Sequence, residues 1–231
     1  MNPTRVLRHA AMELRMLLRN GEQLLLAFAI PLGLLLGGLA WGPGLGLDPR
    51  VFPASVVAVA TWSTAFTSLA VATGFERRYG VLERLVATPL TRADLIAGKS
   101  LAATTLVAIQ ATLLALVAVA CGWRPVWTAA GALSAVLATV LAIAAFAGLG
   151  LLLAGTLKAE VTLALANLVY LAGLALGGLI VDQPPWLPTA ALGTALRAAS
   201  EGALAPLALL ILAAWAAALT LIARKVFRWT S

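Results

Sequence analysis

Residues Ala129–Ala154 read AAGALSAVLATVLAIAAFAGLGLLLA, a run of 26 positions without one charged side chain. A helix that crosses a bilayer needs about 20 mostly apolar residues, because about 30 Å of hydrocarbon is covered at 1.5 Å per residue. This run is long enough, and it is not alone. Working outward from it, charge-free stretches of that kind recur at about 24–42, 54–74, 100–122, 161–181 and 204–223, six in all. Charges or Pro/Gly clusters bound them, among them Gly42-Pro43-Gly44, Trp123-Arg124-Pro125 and Pro184-Pro185-Trp186-Leu187-Pro188. The fold class this predicts is an all-α membrane protein with six transmembrane helices.

Composition agrees. Hydrophobic residues make up 62% and charged residues 11% of the 231, whereas a soluble domain carries about 25% charged residues. The net charge of +7 would suggest nucleic acid in a soluble chain, but the placement of the basic residues gives another reason for it. Arg5, Arg8, Arg15 and Arg19 precede the first span. Arg77, Arg78, Arg84, Arg92 and Lys99 lie between spans two and three, Lys158 between four and five, and Arg224, Lys225 and Arg228 after six. The alternate loops hold Arg50, Arg124 and Arg197, so thirteen basic residues face three. Basic residues favour the cytoplasmic side, which predicts an inner-membrane protein with both termini cytoplasmic and no nucleic-acid partner. Trp41, Trp123, Trp127 and Trp186 fall at the outer boundary and Trp229 at the inner one, while Trp62 and Trp215 read as deeper packing residues. The first span, with its long basic leader, reads as a retained helix and not as a cleaved signal.

Several chemistries are excluded early. Cys121 is the single cysteine and His9 the single histidine, which leaves no internal disulfide, no Cys-based metal site and little scope for histidine catalysis. On these boundaries every charged residue falls in a loop or tail. Ion-coupled carriers use charges at depth, and intramembrane hydrolases need an activated nucleophile, so both are disfavoured. Ala97-Gly98-Lys99-Ser100 looks like the end of a phosphate loop, but residue 93 is alanine where that pattern needs glycine. The chain should therefore bind no cofactor and hydrolyse no ATP itself.

The informative stretch is Phe75–Asp94, FERRYGVLERLVATPLTRAD. Apolar residues at 81, 82, 85 and 86 form one face of a short helix, with Glu83 and Arg84 on its flanks. Pro89 stops it, and Thr91 with Asp94 has the spacing of a capping box for a helix running into span three. Spacing alone leaves two roles open, a lever pushed by a partner or an interfacial anchor. Residues Glu76, Arg77, Gly80, Leu82, Glu83, Arg84, Leu85, Thr88, Pro89 and Leu90, followed by Gly98-Lys99, resemble the cytoplasmic signature of ABC-2-type permeases. The looser likeness elsewhere covers the chain end to end: an Arg-rich N-terminal helix, Pro31 early in span one, and a proline-broken outer loop.

The resemblance implies one transmembrane domain over 1–231, with an interfacial helix in 1–22, a coupling loop at 75–99 and an outer loop at 182–203 whose short helices precede the last span. It also implies a dimer with a second permease, identical or homologous, and two ABC ATPase subunits that hold ATP and Mg. Residues 76–90 would couple to them. The haem-exporter-type permease of cytochrome c maturation and a non-transporting scaffold are the rival readings.

Two further patterns bear on the site. In residues 3–20, Val6, Leu7, Ala10, Ala11, Leu14, Leu17 and Leu18 share an arc opposite Arg8, Arg15 and Arg19, as in a helix lying on anionic lipid. Polar residues within the spans are few. Thr61, Thr64 and Ser68 share a face of span two, Gln110 lies in span three, and Asn167 and Tyr170 are neighbours in span five. In the family, spans two and five face the cavity, which makes Thr64, Ser68, Asn167 and Tyr170 the expected substrate path. Interhelical hydrogen bonding is the plainer role for them, at about 0.6 kcal/mol per pair. A path with few polar and no charged groups suits an amphipathic or hydrophobic cargo, such as a drug, lipid or glycoconjugate.

Overall fold

The computed structural model describes residues 2–227. Six helical segments in it are long and apolar enough to cross a membrane: Ala27–Leu45, Phe52–Arg78, Arg92–Ala120, Ala129–Thr156, Ala159–Leu176 and Pro206–Val226. Among the described residues all regular structure is helical. In chain order the helices are α1 (Pro3–Arg19), α2 (Gly21–Trp41), α3 (Phe52–Trp62), α4 (Leu69–Arg78), α5 (Val81–Val86), α6 (Arg92–Ala120), α7 (Ala129–Thr156), α8 (Ala159–Leu176), α9 (Pro188–Ser200) and α10 (Pro206–Val226). A 3₁₀ turn at Gly42–Leu45 follows α2, and a π turn at Ser63–Ser68 joins α3 to α4 as one span.

Helix α7 is the centre of the bundle, packed against α10, α9 and α4. Small residues permit that closeness: a Cβ placed on Gly148 would sit 2.9 Å from the Leu219 carbonyl carbon. Trp62 fills the middle, stacked on Phe66 at 4.3 Å between ring centroids and edge-on to Phe146 at 4.6 Å.

The helices leave two distinct ends. Residues 3–20, 75–99, 154–162 and 223–227 gather at one, tied by Arg77 donating to the Ala154 carbonyl. The loops 42–51, 121–128 and 177–205 gather at the other, where Trp123 Nε1 donates to Arg50 O and Trp215 Nε1 to Trp186 O. Of the thirteen basic residues assigned to one side, all but Arg228 are described, and they lie at the first, basic end. Arg228 and Trp229 fall outside the described residues.

Three expectations are corrected. Span five ends at Leu176, not near 181, and the prolines do not end it. The break is Gly177-Gly178: Gly178 adopts φ +69°, and a Cβ on Gly177 would lie 2.6 Å from Thr189 Oγ1 of α9. Helix α9, in the loop that follows, packs inward, with Ala190, Ala191, Leu192 and Ala195 buried against α3, α7 and α10. Trp215 is exposed and not a packing residue, because its indole turns to reach Trp186.

The third correction concerns charge. Glu13, Arg77, Lys99 and Arg197 are buried, so ionisable groups are not confined to solvated loops. Helices α4 and α6 run past the apolar stretches that define their spans and carry polar side chains into the packed end of the bundle. At the opposite end Arg197 is satisfied by Leu179 O at 3.0 Å and Asp182 Oδ1 at 2.9 Å. A buried guanidinium needs such partners.

Candidate functional site

The turn between α4 and α6 is built by local rules. Gly80, at φ +69°, closes α4 and caps α5 in a left-handed conformation that side-chain-bearing residues adopt only with strain. Helix α5 ends at Val86, where Thr88 donates both its amide and its hydroxyl to Leu85 O, and Pro89 follows. Thr91 then starts α6 with a complete capping box: Asp94 N donates to Thr91 Oγ1 at 3.1 Å, and Thr91 N to Asp94 Oδ2 at 3.2 Å. The Asp94 carboxylate also accepts from Asn2 N at 3.1 Å, which fixes the start of α1.

The ten signature residues divide by direction. Leu82 is fully buried in the core cluster, and Leu85 and Leu90 pack against it. Glu76 is mostly enclosed, and buried Arg77 donates to Ala154 O at 2.8 Å. Gly80 supplies the turn. Glu83, Arg84, Thr88 and Pro89 are exposed. The first group attaches α5 to the bundle, and the last presents a surface. Beside it runs a groove of about 310 Å³ lined by Arg5, Arg8, His9, Met12, Leu85 and Thr88, and Arg5 donates to Pro89 O at 2.6 Å.

Helix α1 is not a plain lipid anchor. It packs along α6 through His9, Ala10 and Glu13, while Leu7, Ala11 and Leu18 from the expected apolar arc are exposed. Gly98 makes the approach possible, because a Cβ there would lie 2.5 Å from His9 Cδ2. Next to it Lys99 Nζ sits 2.8 Å from Glu13 Oε1 and 2.8 Å from Glu76 Oε2, with the lysine side chain 2% exposed. Three elements, α1, α4 and α6, thus meet at one ammonium. His9 Nε2 lies 3.4 Å from Glu13 Oε1. Burial holds the His9 imidazole below its ordinary range; Glu13 opposes that shift and Lys99 adds to it.

This cluster was missed by sequence reasoning. Its signals were Glu76 and Gly98-Lys99, both within the matched signature but not read as partners. Glu13 carried no signal, since its partner is 86 positions away.

Of the expected path residues, Thr64 is buried and donates its hydroxyl to Gln110 Oε1 at 2.9 Å, while Gln110 Nε2 donates to Ala27 O at 2.9 Å. Those bonds tie α2, span two and α6. The π turn, a local rewinding of the helix, falls on this tie. Thr64 and Ser68 also line a void of about 30 Å³ with Glu13, Thr73 and Lys99, room for about one or two waters. Tyr170 is half-buried, its carbonyl accepting from Trp62 Nε1 at 3.3 Å, and Asn167 is exposed on α8. Thr64 and Ser68 are brought together; Tyr170 reaches the same turn from α8, its side chain hydrogen-bonded to Ser63, and Asn167 is exposed on α8.

Among the described residues no group of three or more His, Cys, Asp or Glu side chains is arranged to hold a metal. Residues 10–221 match the family model described as ABC-2 type transporter. No curated protein matches the chain.

Proposed function

The chain belongs to the ABC-2 type transporter family, and from that membership we propose that it is the permease of an exporter, worked through α5 by a separate ATPase. The coarse statement follows from the family: a multi-pass membrane subunit of an ABC transporter, associated with ABC ATPases. The finer reading adds two ATPase subunits that hold ATP and Mg, a second permease, both termini cytoplasmic in the inner membrane, and an amphipathic or hydrophobic cargo. The nucleotide chemistry belongs to the partner; this chain supplies force transmission.

The observation that carries the reading is the mounting of α5. Its exposed side, Glu83, Arg84, Thr88 and Pro89, stands at the basic end, where positive charge favours the cytoplasm. Its other side is held to the core by buried Leu82, and the loop that follows it is tied to α1 by the Arg5–Pro89 bond and leads into the capped start of α6. A displacement of α5 therefore moves α1, α4 and α6 together, because close-packed interiors transmit strain and do not absorb it. Glu76 and Arg77 would serve by fixing α4 and not by touching the ATPase.

The void beside Thr64 and Ser68 is too small for cargo, which supports a route formed between two permeases. The exposed amide of Asn167 on α8 supports the same arrangement, since a polar side chain facing lipid is disfavoured and a partner would cover it. Asn167 and Tyr170 would then line the route, with Thr64 and Ser68 behind it.

Co-expression with the cognate ATPase tests the reading. A stoichiometric complex is expected, with ATPase activity raised by the permease. Glu83→Lys and Pro89→Ala should abolish that stimulation without lowering membrane insertion. Wild-type stimulation in both variants would count against coupling through α5.

A further inference from the structure

At the basic end, away from α5, lies a cleft of about 460 Å³ between the last turn of α4 and the α7–α8 junction. It is lined by Gly74, Arg77, Arg78, Thr156, Lys158 and Glu160. Three cations face one carboxylate. We propose that this cleft binds the phosphoryl headgroup of an anionic lipid from the adjoining leaflet, independently of the direction in which cargo moves.

Charge and position both point there. Arg77 is buried and held by the Ala154 carbonyl, so its positive charge is fixed in the cleft wall. Lys158 is exposed at the N-cap of α8 and has no ion-pair partner among the described residues. Arg78 pairs with Glu160, and both are half exposed. An exposed ion pair is worth only about 0–1 kcal/mol, so a phosphoryl group, which accepts two parallel guanidinium bonds, can take Arg78 from the carboxylate. The amides of the first turn of α8 add partial positive charge on the same side.

The surroundings suit a lipid better than a free anion. Helix α8 is the wall of the cleft, and along one face it offers Val161 and Leu168, 49% and 63% exposed and seven positions apart. An acyl chain can lie along that face while the head occupies the cleft. The volume lies within the range of small-ligand sites, about 300–1,000 Å³. Thr162 closes the top, its Cγ2 being 3.3 Å from a Cβ built on Gly74, so the chain must run outside the bundle.

The test uses the full chain in complex with its ATPase, purified in a neutral detergent, with native mass spectrometry counting bound lipid as phosphatidylglycerol is titrated. Saturable binding is expected, with phosphatidylcholine and millimolar inorganic phosphate as the comparison arms. Arg78→Gln and Lys158→Gln should each weaken phosphatidylglycerol about fivefold, and Glu160→Gln should tighten it, since the competing carboxylate is gone. Lys225→Gln, a basic residue at the same end outside the cleft, should leave it unchanged. Both weakening variants alter exposed side chains, so folding is preserved. Equal binding of phosphatidylcholine, full displacement by inorganic phosphate, or an equal loss in Lys225→Gln would overturn the proposal.

Discussion

Replacing Lys99 with methionine is the sharpest perturbation of the basic end. The substitution keeps much of the side-chain length and removes the ammonium that Glu13 and Glu76 share. Two carboxylates then remain, Glu13 buried and Glu76 nearly so, in a site where His9 lies 3.4 Å from Glu13. Breaking one buried pair costs about 3–5 kcal/mol, chiefly because the surviving charge has lost its partner. Either the carboxylates take up protons or α1 leaves α6 to hydrate them, and the second route is open because α1 has one exposed face. Hydrogen exchange of the α1 amides should therefore quicken by about a hundredfold or more, since each 1.4 kcal/mol is a factor of ten.

Substituting all three residues at once, with leucine at 13 and 76 and methionine at 99, should recover most of the protection. An apolar replacement of a whole buried ionic group is often neutral or stabilising. Exchange measured by mass spectrometry in the same detergent reads both variants. An α1 that exchanges at the wild-type rate in Lys99→Met would refute the reasoning. A triple variant less protected than the single one would do the same.

Three other outcomes follow from named contacts. His9 is held below its ordinary pKa by burial, so the undocked state binds more protons and docking of α1 must weaken as pH falls through the histidine range; exchange protection of α1 that is flat from pH 7.5 to 5.5 would contradict this. Gly80→Ala places a Cβ at φ +69°, a strain of about 1–2 kcal/mol that α5 can relieve by tilting, so ATPase stimulation should fall while membrane insertion stays normal. Thr64→Val removes the donor to Gln110 and should destabilise the bundle by about 1–3 kcal/mol, read as a lower melting temperature in detergent; a change in cargo preference without loss of stability would instead place Thr64 on the route.

The spans were legible because length and absence of charge are local properties: each run had to form its own helix to satisfy its backbone inside hydrocarbon. The α5 turn was legible for the same reason, since Gly80, Pro89 and the Thr91–Asp94 pair act within a few residues of one another. What could not be read was which side chains meet across the bundle. Glu13 looked like one more polar position on a surface helix, and only the approach of α1 to Gly98 turns it toward Lys99. Arg197 likewise looked solvent-facing until the Gly177-Gly178 break folded its helix inward, against Leu179 and Asp182.

The same distinction bears on how the site works. Local rules make α5 and aim its exposed residues, but they do not attach it to anything that moves. The attachments are long-range: Arg5 to Pro89, Asn2 to Asp94, and Lys99 to both Glu13 and Glu76. They join the amphipathic helix, the end of span two and the start of span three into one block. A single link would let α5 pivot. Contacts at both the start and the middle of α1 oppose rotation as well as translation, so under the proposed coupling a push at Glu83 and Pro89 would reach span three as a rigid-body movement.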